Sequence, residues 1–202
     1  GYGDNLTGFE GDVCVDSNAE EVESGWISRF DRLGCRDVDK DGYSDPTDDW
    51  ISHPEGFADA FPSDASQWYD TDNDGFGDNM EYYDGQAWRL AYRGDGCQTT
   101  YGLSTFDRWG CPDSDEDGWS DPTPYWLASP GGMGDAWPDD PTQWHDGDGD
   151  GRGDNPSGTT ADVCPSQPGT SVGPSSGGDR WGCPDTDGDG WSNLGDAFIH
   201  EP

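Results

Sequence analysis

Apolar side chains are sparse along this 202-residue chain, and only one stretch sets them at a helical period. Val22, Trp26, Phe30 and Leu33 share one helical face. Ser17-Asn18-Ala19-Glu20 reads as its capping box and Gly34 as its stop, which predicts a helix over roughly residues 18–33. Asp45-Pro46 and Thr123-Pro124 are placed to open one-turn helices ending in Trp50-Ile51 and Trp126-Leu127, because Pro is tolerated in a first turn. Trp88, Leu90 and Tyr92 alternate with Arg89 and Ala91 and predict a short strand. Everything else is turn and loop. The expected fold class is irregular, with low secondary structure and short helices.

What replaces periodicity on the small scale is repetition on the large one. Gly1-Tyr2-Gly3-Asp4-Asn5, Gly75-Phe76-Gly77-Asp78-Asn79 and Gly151-Arg152-Gly153-Asp154-Asn155 open three segments. Cys35, Cys111 and Cys183 each follow Asp-Arg-(Leu or Trp)-Gly. Asp59-Ala60-Phe61-Pro62, Asp135-Ala136-Trp137-Pro138 and Asp196-Ala197-Phe198 form another landmark, and Gln67-Trp68 and Gln143-Trp144 a further one. The expected domains are tandem units over 1–74, 75–150 and 151–202, the first beginning inside a loop and the last cut short. Two explanations fit those ends: a window from a longer array, which is favoured, or a half-loop completed by a neighbouring copy.

The chemistry lies in a recurring acidic loop. Asp146, Asp148 and Asp150 alternate with Gly, Gly151 follows, and Asp154 comes four residues after Asp150. This is the ligand spacing of a calcium loop: side-chain oxygens at positions 1, 3, 5 and 9, a tight turn at Gly 6, and a backbone carbonyl at 7, here Arg152. The same spacing gives Asp37, Asp39, Asp41, Tyr43 and Asp45; Asp70, Asp72, Asp74, Phe76 and Asp78; Asp113, Asp115, Asp117, Trp119 and Asp121. The last set is Asp185, Asp187, Asp189, Trp191 and Asn193, with Asp196 beside it, and Asp4 belongs to the partial loop at Gly1. One such match is an ordinary solvated loop; five in register point to a cation. Hard oxygen donors in this number favour Ca²⁺ over Zn²⁺, Cu²⁺ or Mg²⁺, and at least five ions are expected.

Composition makes the ions necessary to the fold. Hydrophobic residues are 29% of the chain, and 44 acidic against 9 basic side chains leave a net charge of −35. Such a chain is ordinarily disordered. Eleven Trp, eight Tyr and six Cys argue otherwise, with metal and disulfides supplying what a small core cannot. Five Ca²⁺ would still leave a charge of about −25, so further ions are compatible with the sequence. So acidic a surface excludes nucleic acid and anionic lipid as partners. No apolar run is long enough to insert in a membrane, and no signal-peptide pattern opens the chain.

The repeats favour disulfides Cys14–Cys35, Cys97–Cys111 and Cys164–Cys183. Zinc is the competing reading, disfavoured because no CxxC spacing occurs and His53, His145 and His200 are scattered. Disulfides with calcium imply an extracellular or cell-surface location. The periodic Trp and Tyr read as small packing clusters at each loop and disulfide rather than a sugar-stacking surface. Asn5-Leu6-Thr7 is the one N-glycosylation acceptor, so a glycan at Asn5 is compatible with the chain. Arg93-Gly94-Asp95 and Arg152-Gly153-Asp154 spell adhesion tripeptides, but Asp154 is committed to a loop.

The five Asp series and the accompanying disulfides resemble thrombospondin type 3 repeats, in which a chain with little regular structure winds around calcium ions. The landmarks between the loops look more like acidic repeats of large secreted microbial surface proteins. The thrombospondin type 3 resemblance implies an extracellular, calcium-dependent structural role, and the residues themselves lead to a stalk, surface layer or filament, with self-association or neighbouring repeats as partners. The rival reading is a calcium-dependent adhesion or carbohydrate-binding module. An enzyme is not expected. The chain has no nucleophile motif, phosphate loop or HExxH, and no carboxylate pair stands apart from the calcium series in a glycosidase-like setting.

Overall fold

The computed structural model describes residues 13–14, 27–83, 86–91, 93–173 and 180–202. Contacts divide the chain into two units, Gly1–Gly102 with Trp109–Cys111, and Leu103–Arg108 with Pro112–Pro202. Regular structure is minimal: β1 (Glu81–Tyr83) and β2 (Trp88–Leu90) form an antiparallel pair with Glu81 opposite Leu90 and Tyr83 opposite Trp88. The strand expected at Trp88–Tyr92 is thus present to Leu90, and Tyr92 lies outside the described residues.

Among the described residues no helix forms. The expected helix over 18–33 falls partly outside them, but none of 27–33 is helical and 29–33 are bends and a turn. Ile27 bridges Arg36, the Ser28 amide donates to Cys35 O, and the Arg29 and Phe30 amides both reach Gly42 O. Those long-range acceptors take the amides a helix would have used locally. The one-turn helices expected after Asp45 and Thr123 are also absent. In their place Thr47 and Trp50 exchange both backbone hydrogen bonds (2.8 and 3.0 Å), as do Thr123 and Trp126 (2.7 and 3.1 Å). The reciprocal pair closes a tight two-residue turn, and Arg32 over Trp50 and Arg108 over Trp126 hold it.

The interior is polar. Among the described residues the buried apolar ones are Cys35, Ala58, Cys111 and Cys183, whereas the largest wholly buried side chains are Gln67 and Gln143. Each Gln amide copies a backbone pairing: Gln67 accepts from Asn79 N–H and donates to Asn79 O, and Gln143 does the same with Asn155. The Asn side chains answer by donating to Ser66 O and Thr142 O. A Cβ at Gly77 or Gly153 would overlap the Gln amide, which explains the Gly-x-Gly-Asp-Asn landmark. Disulfides Cys14–Cys35, Cys97–Cys111 and Cys164–Cys183 form as expected, with no free cysteine.

Candidate metal centres

Each acidic loop is wound by its own first carboxylate. Position 1 takes the N–H of position 4 on Oδ1 (2.7–2.8 Å) and that of Gly 6 on Oδ2 (2.9–3.0 Å) in all five loops. This winding needs positive φ at positions 4 and 6: Lys40, Asn73, Glu116, Gly149 and Gly188 adopt 62–82°, and the Gly at position 6 adopts 87–104°. At position 6 that geometry favours glycine. The position-5 carboxylate takes the N–H of position 7 on Oδ1, at 2.8–2.9 Å. The winding brings the carboxylates of Asp37/Asp39/Asp41, Asp70/Asp72/Asp74, Asp113/Asp115/Asp117, Asp146/Asp148/Asp150 and Asp185/Asp187/Asp189 together, with one oxygen of each within 4.8 Å of the others.

Position 9 also closes the loop. Its amide donates to the carbonyl just before the loop (Arg36, Tyr69, Pro112, His145, Pro184), and its side chain accepts the position-2 N–H. Asp45, Asp78, Asp121, Asp154 and Asn193 thereby latch the neck of the loop and stand outside the converging triplets. Asp45 also pairs with Arg36 at 3.0 Å. Asp4 lies outside the described residues.

A further carboxylate, not singled out as a ligand from sequence, docks beside four of the loops. Asp59, Asp95, Asp135 and Asp162 are each at most 4% exposed. Every one donates its amide to the carbonyl of loop position 8 (Ser44, Gly77, Ser120, Gly153) and accepts the N–H two residues on through Oδ1. Asp196 repeats both contacts with Ser192 O and Phe198 N. The Oδ2 atoms of Asp59, Asp95, Asp135 and Asp162 are buried without a hydrogen-bond donor, as are those of Asp39, Asp41, Asp72, Asp115, Asp117, Asp148 and Asp187. The signal was present in sequence as Asp-Ala-(Phe or Trp)-Pro and Asp-x-Cys, but only the fold carries those aspartates back to the loop.

Electrostatics follow from this crowding. Burial, and then neighbouring aspartates, push Asp59 up to about 8 and Asp41, Asp95 and Asp135 to about 7. Asp39, Asp74 and Asp117 rise to about 6. Buried carboxylate oxygens without donors are costly, and repeated in loop after loop they mark groups positioned to hold metal ions. The donor set is all hard oxygen, with no Cys or His in any triplet, which fits calcium and not zinc. Compared with known proteins, the chain matches no family model, no curated protein and no solved structure. The three disulfides suggest an oxidising environment, and among the described residues no helix is long and apolar enough to cross a membrane.

Proposed function

We propose that this chain is a calcium-binding, non-catalytic structural segment of an extracellular protein, built as a tandem array and stiffened by its ions. The observation that carries the reading is the convergence, within each loop, of buried carboxylate oxygens that no protein donor satisfies. Ca²⁺ would be held by positions 1, 3 and 5 with Asp59, Asp95, Asp135 or Asp162 from outside the loop, and by the carbonyls of Tyr43, Phe76, Trp119, Arg152 and Trp191. When bound it supplies the counter-charge that turns mutual repulsion into coordination, so binding free energy becomes folding free energy. Because the outside aspartate lies 12 to 21 residues beyond loop position 5, the ion also cross-links distant segments, as a disulfide does. Stalk, surface-layer and filament roles share this requirement for a stiff, core-poor array, and the likeness to thrombospondin type 3 repeats supports it.

Equilibrium dialysis with radioactive calcium tests the reading. Five or more ions should bind per chain, with Mg²⁺ a poor competitor; fewer than one ion per two loops at millimolar calcium would refute it.

A further inference from the structure

The second unit holds a cavity of about 390 Å³ that the calcium loops do not explain. Trp119, Trp144, Met133 and Pro156 give it an apolar lining, with His145 and Asp154 among its polar lining residues. The same positions 76 residues earlier show what the scaffold otherwise does there. In the first unit Tyr43 stacks on Trp68 (centroids 5.0 Å apart, planes at 13°). Tyr69 stands edge-on to Tyr43 at 5.4 Å and lies 4.7 Å from the His53 ring. In the second unit Trp119 and Trp144 are again parallel, at 6.4 Å and 7°.

Two of the surrounding rings, however, have been exchanged for smaller groups. Ser129 stands where His53 would be and keeps its hydrogen bonds to the loop: Ser129 Oγ donates to Asp146 O at 2.8 Å, matching the 2.7 Å contact of His53 Nδ1 with Asp70 O. His145 replaces Tyr69, is half exposed, and turns its Nε2 to within 3.8 Å of Asp154 Oδ2. The polar contacts survive the exchange and aromatic volume is lost.

Four other indoles show what this chain can lay over a tryptophan face. Arg32 covers Trp50, Arg93 covers Trp109, Arg108 covers Trp126 and Arg152 covers Trp181, each with the guanidinium carbon 4.8–5.1 Å from the ring centroid. Among the described residues, Trp119 and Trp144 carry no such cover, and neither do Trp68, Trp137 and Trp191; Trp119 and Trp144 are uncovered rings that line one cavity together. Beside them is a carboxylate, in a chain of net charge −35 that draws cations and repels anions. A planar guanidinium stacks on an indole face while pairing with a carboxylate, which an ammonium does less well. We propose that this cavity binds a guanidinium group, and that its occupant is an arginine side chain of a basic partner segment.

The test uses the full chain in millimolar calcium and follows the indole N–H resonances of Trp119 and Trp144. The probes are a blocked Gly-Arg-Gly peptide, its neutral citrulline counterpart and a methyl glycoside. Expected is a saturable shift of both indoles by the arginine peptide, at least about tenfold weaker with citrulline. His145→Tyr, which restores the ring of the first unit, should abolish the shift and leave the remaining spectrum unchanged. The proposal is overturned by equal binding of citrulline, by a response to the glycoside alone, by no saturable shift, or by undiminished binding to His145→Tyr.

Discussion

A buried aspartate whose second oxygen has no donor behaves oppositely with and without a cation. Asp59→Asn keeps the size of a side chain that is fully buried and removes one of the mutually repelling charges around Asp39 and Asp41. In EGTA the variant should therefore melt higher than the parent chain, and in saturating calcium lower, by a few degrees in each direction, on the order of 1 kcal/mol. Melting curves in the two buffers check this; a shift of the same sign in both would contradict it. The glycines separate two other effects. Gly153→Ala would push a Cβ into the Gln143 amide and should cost about 1–3 kcal/mol. At Gly151 the space is open but φ is +87°, so Gly151→Ala should cost about 1–2 kcal/mol through the backbone alone. Denaturant midpoints of the two variants would show it. The triplet residues were legible in sequence because two-residue spacing and the glycine after it are local facts. Asp59, Asp95, Asp135 and Asp162 were not, since their distance from the loop along the chain is different in each kind of segment.

Loops, rather than helices or strands, are the elements of this molecule. Each is closed three times over: position 1 winds it, position 9 latches its neck, and the outside aspartate docks on position 8. That design explains why helical signals failed where they could be compared. The pattern Phe30, Leu33 and Gly34 is real, but at Phe30 the ring serves to cover Gly42, where a Cβ would collide with it, just as Phe106 covers Gly118. Periodicity reports which residues are apolar, and cannot report that their partner is a loop glycine rather than the next helical turn. The disulfide pairing was legible because each pair sits within one recurring segment. In the first unit Cys97–Cys111 closes a short stretch in which the Gly110 turn packs against Asp95. Replacing both cysteines by Ser should cost about 3 kcal/mol and also weaken calcium binding at the Asp70 loop. Unfolding and calcium titration of that double variant are the measurements, and unaltered calcium affinity would separate the disulfide from the site.

At the scale of the whole chain, a polar interior and a large negative charge make stability depend on pH in a direction unusual for an acidic protein. Burial and like charge raise Asp59 to about 8 and Asp41, Asp95 and Asp135 to about 7 in the ion-free fold. Between the ordinary carboxylate range and those values the folded chain holds more protons than the unfolded one. Stability in EGTA is therefore greatest at or below the ordinary carboxylate range, falls as pH rises above it, and levels off only past about 8. Calcium needs the ionised carboxylates, so its stabilising effect grows over the same interval. Urea midpoints at pH 5 and pH 8, with and without calcium, should change in opposite directions; a parallel trend would contradict this.

The most direct measurement compares the intact chain, disulfides formed, at pH 7.5 in millimolar calcium and in EGTA. Near-ultraviolet circular dichroism reads the order around its eleven tryptophans, and dynamic light scattering reads its radius. Removing calcium should collapse the aromatic signal and expand the chain, and readdition should restore both. An unchanged spectrum and radius in EGTA would mean that the aspartate clusters hold their shape without ions, and that something other than divalent cations keeps this chain folded.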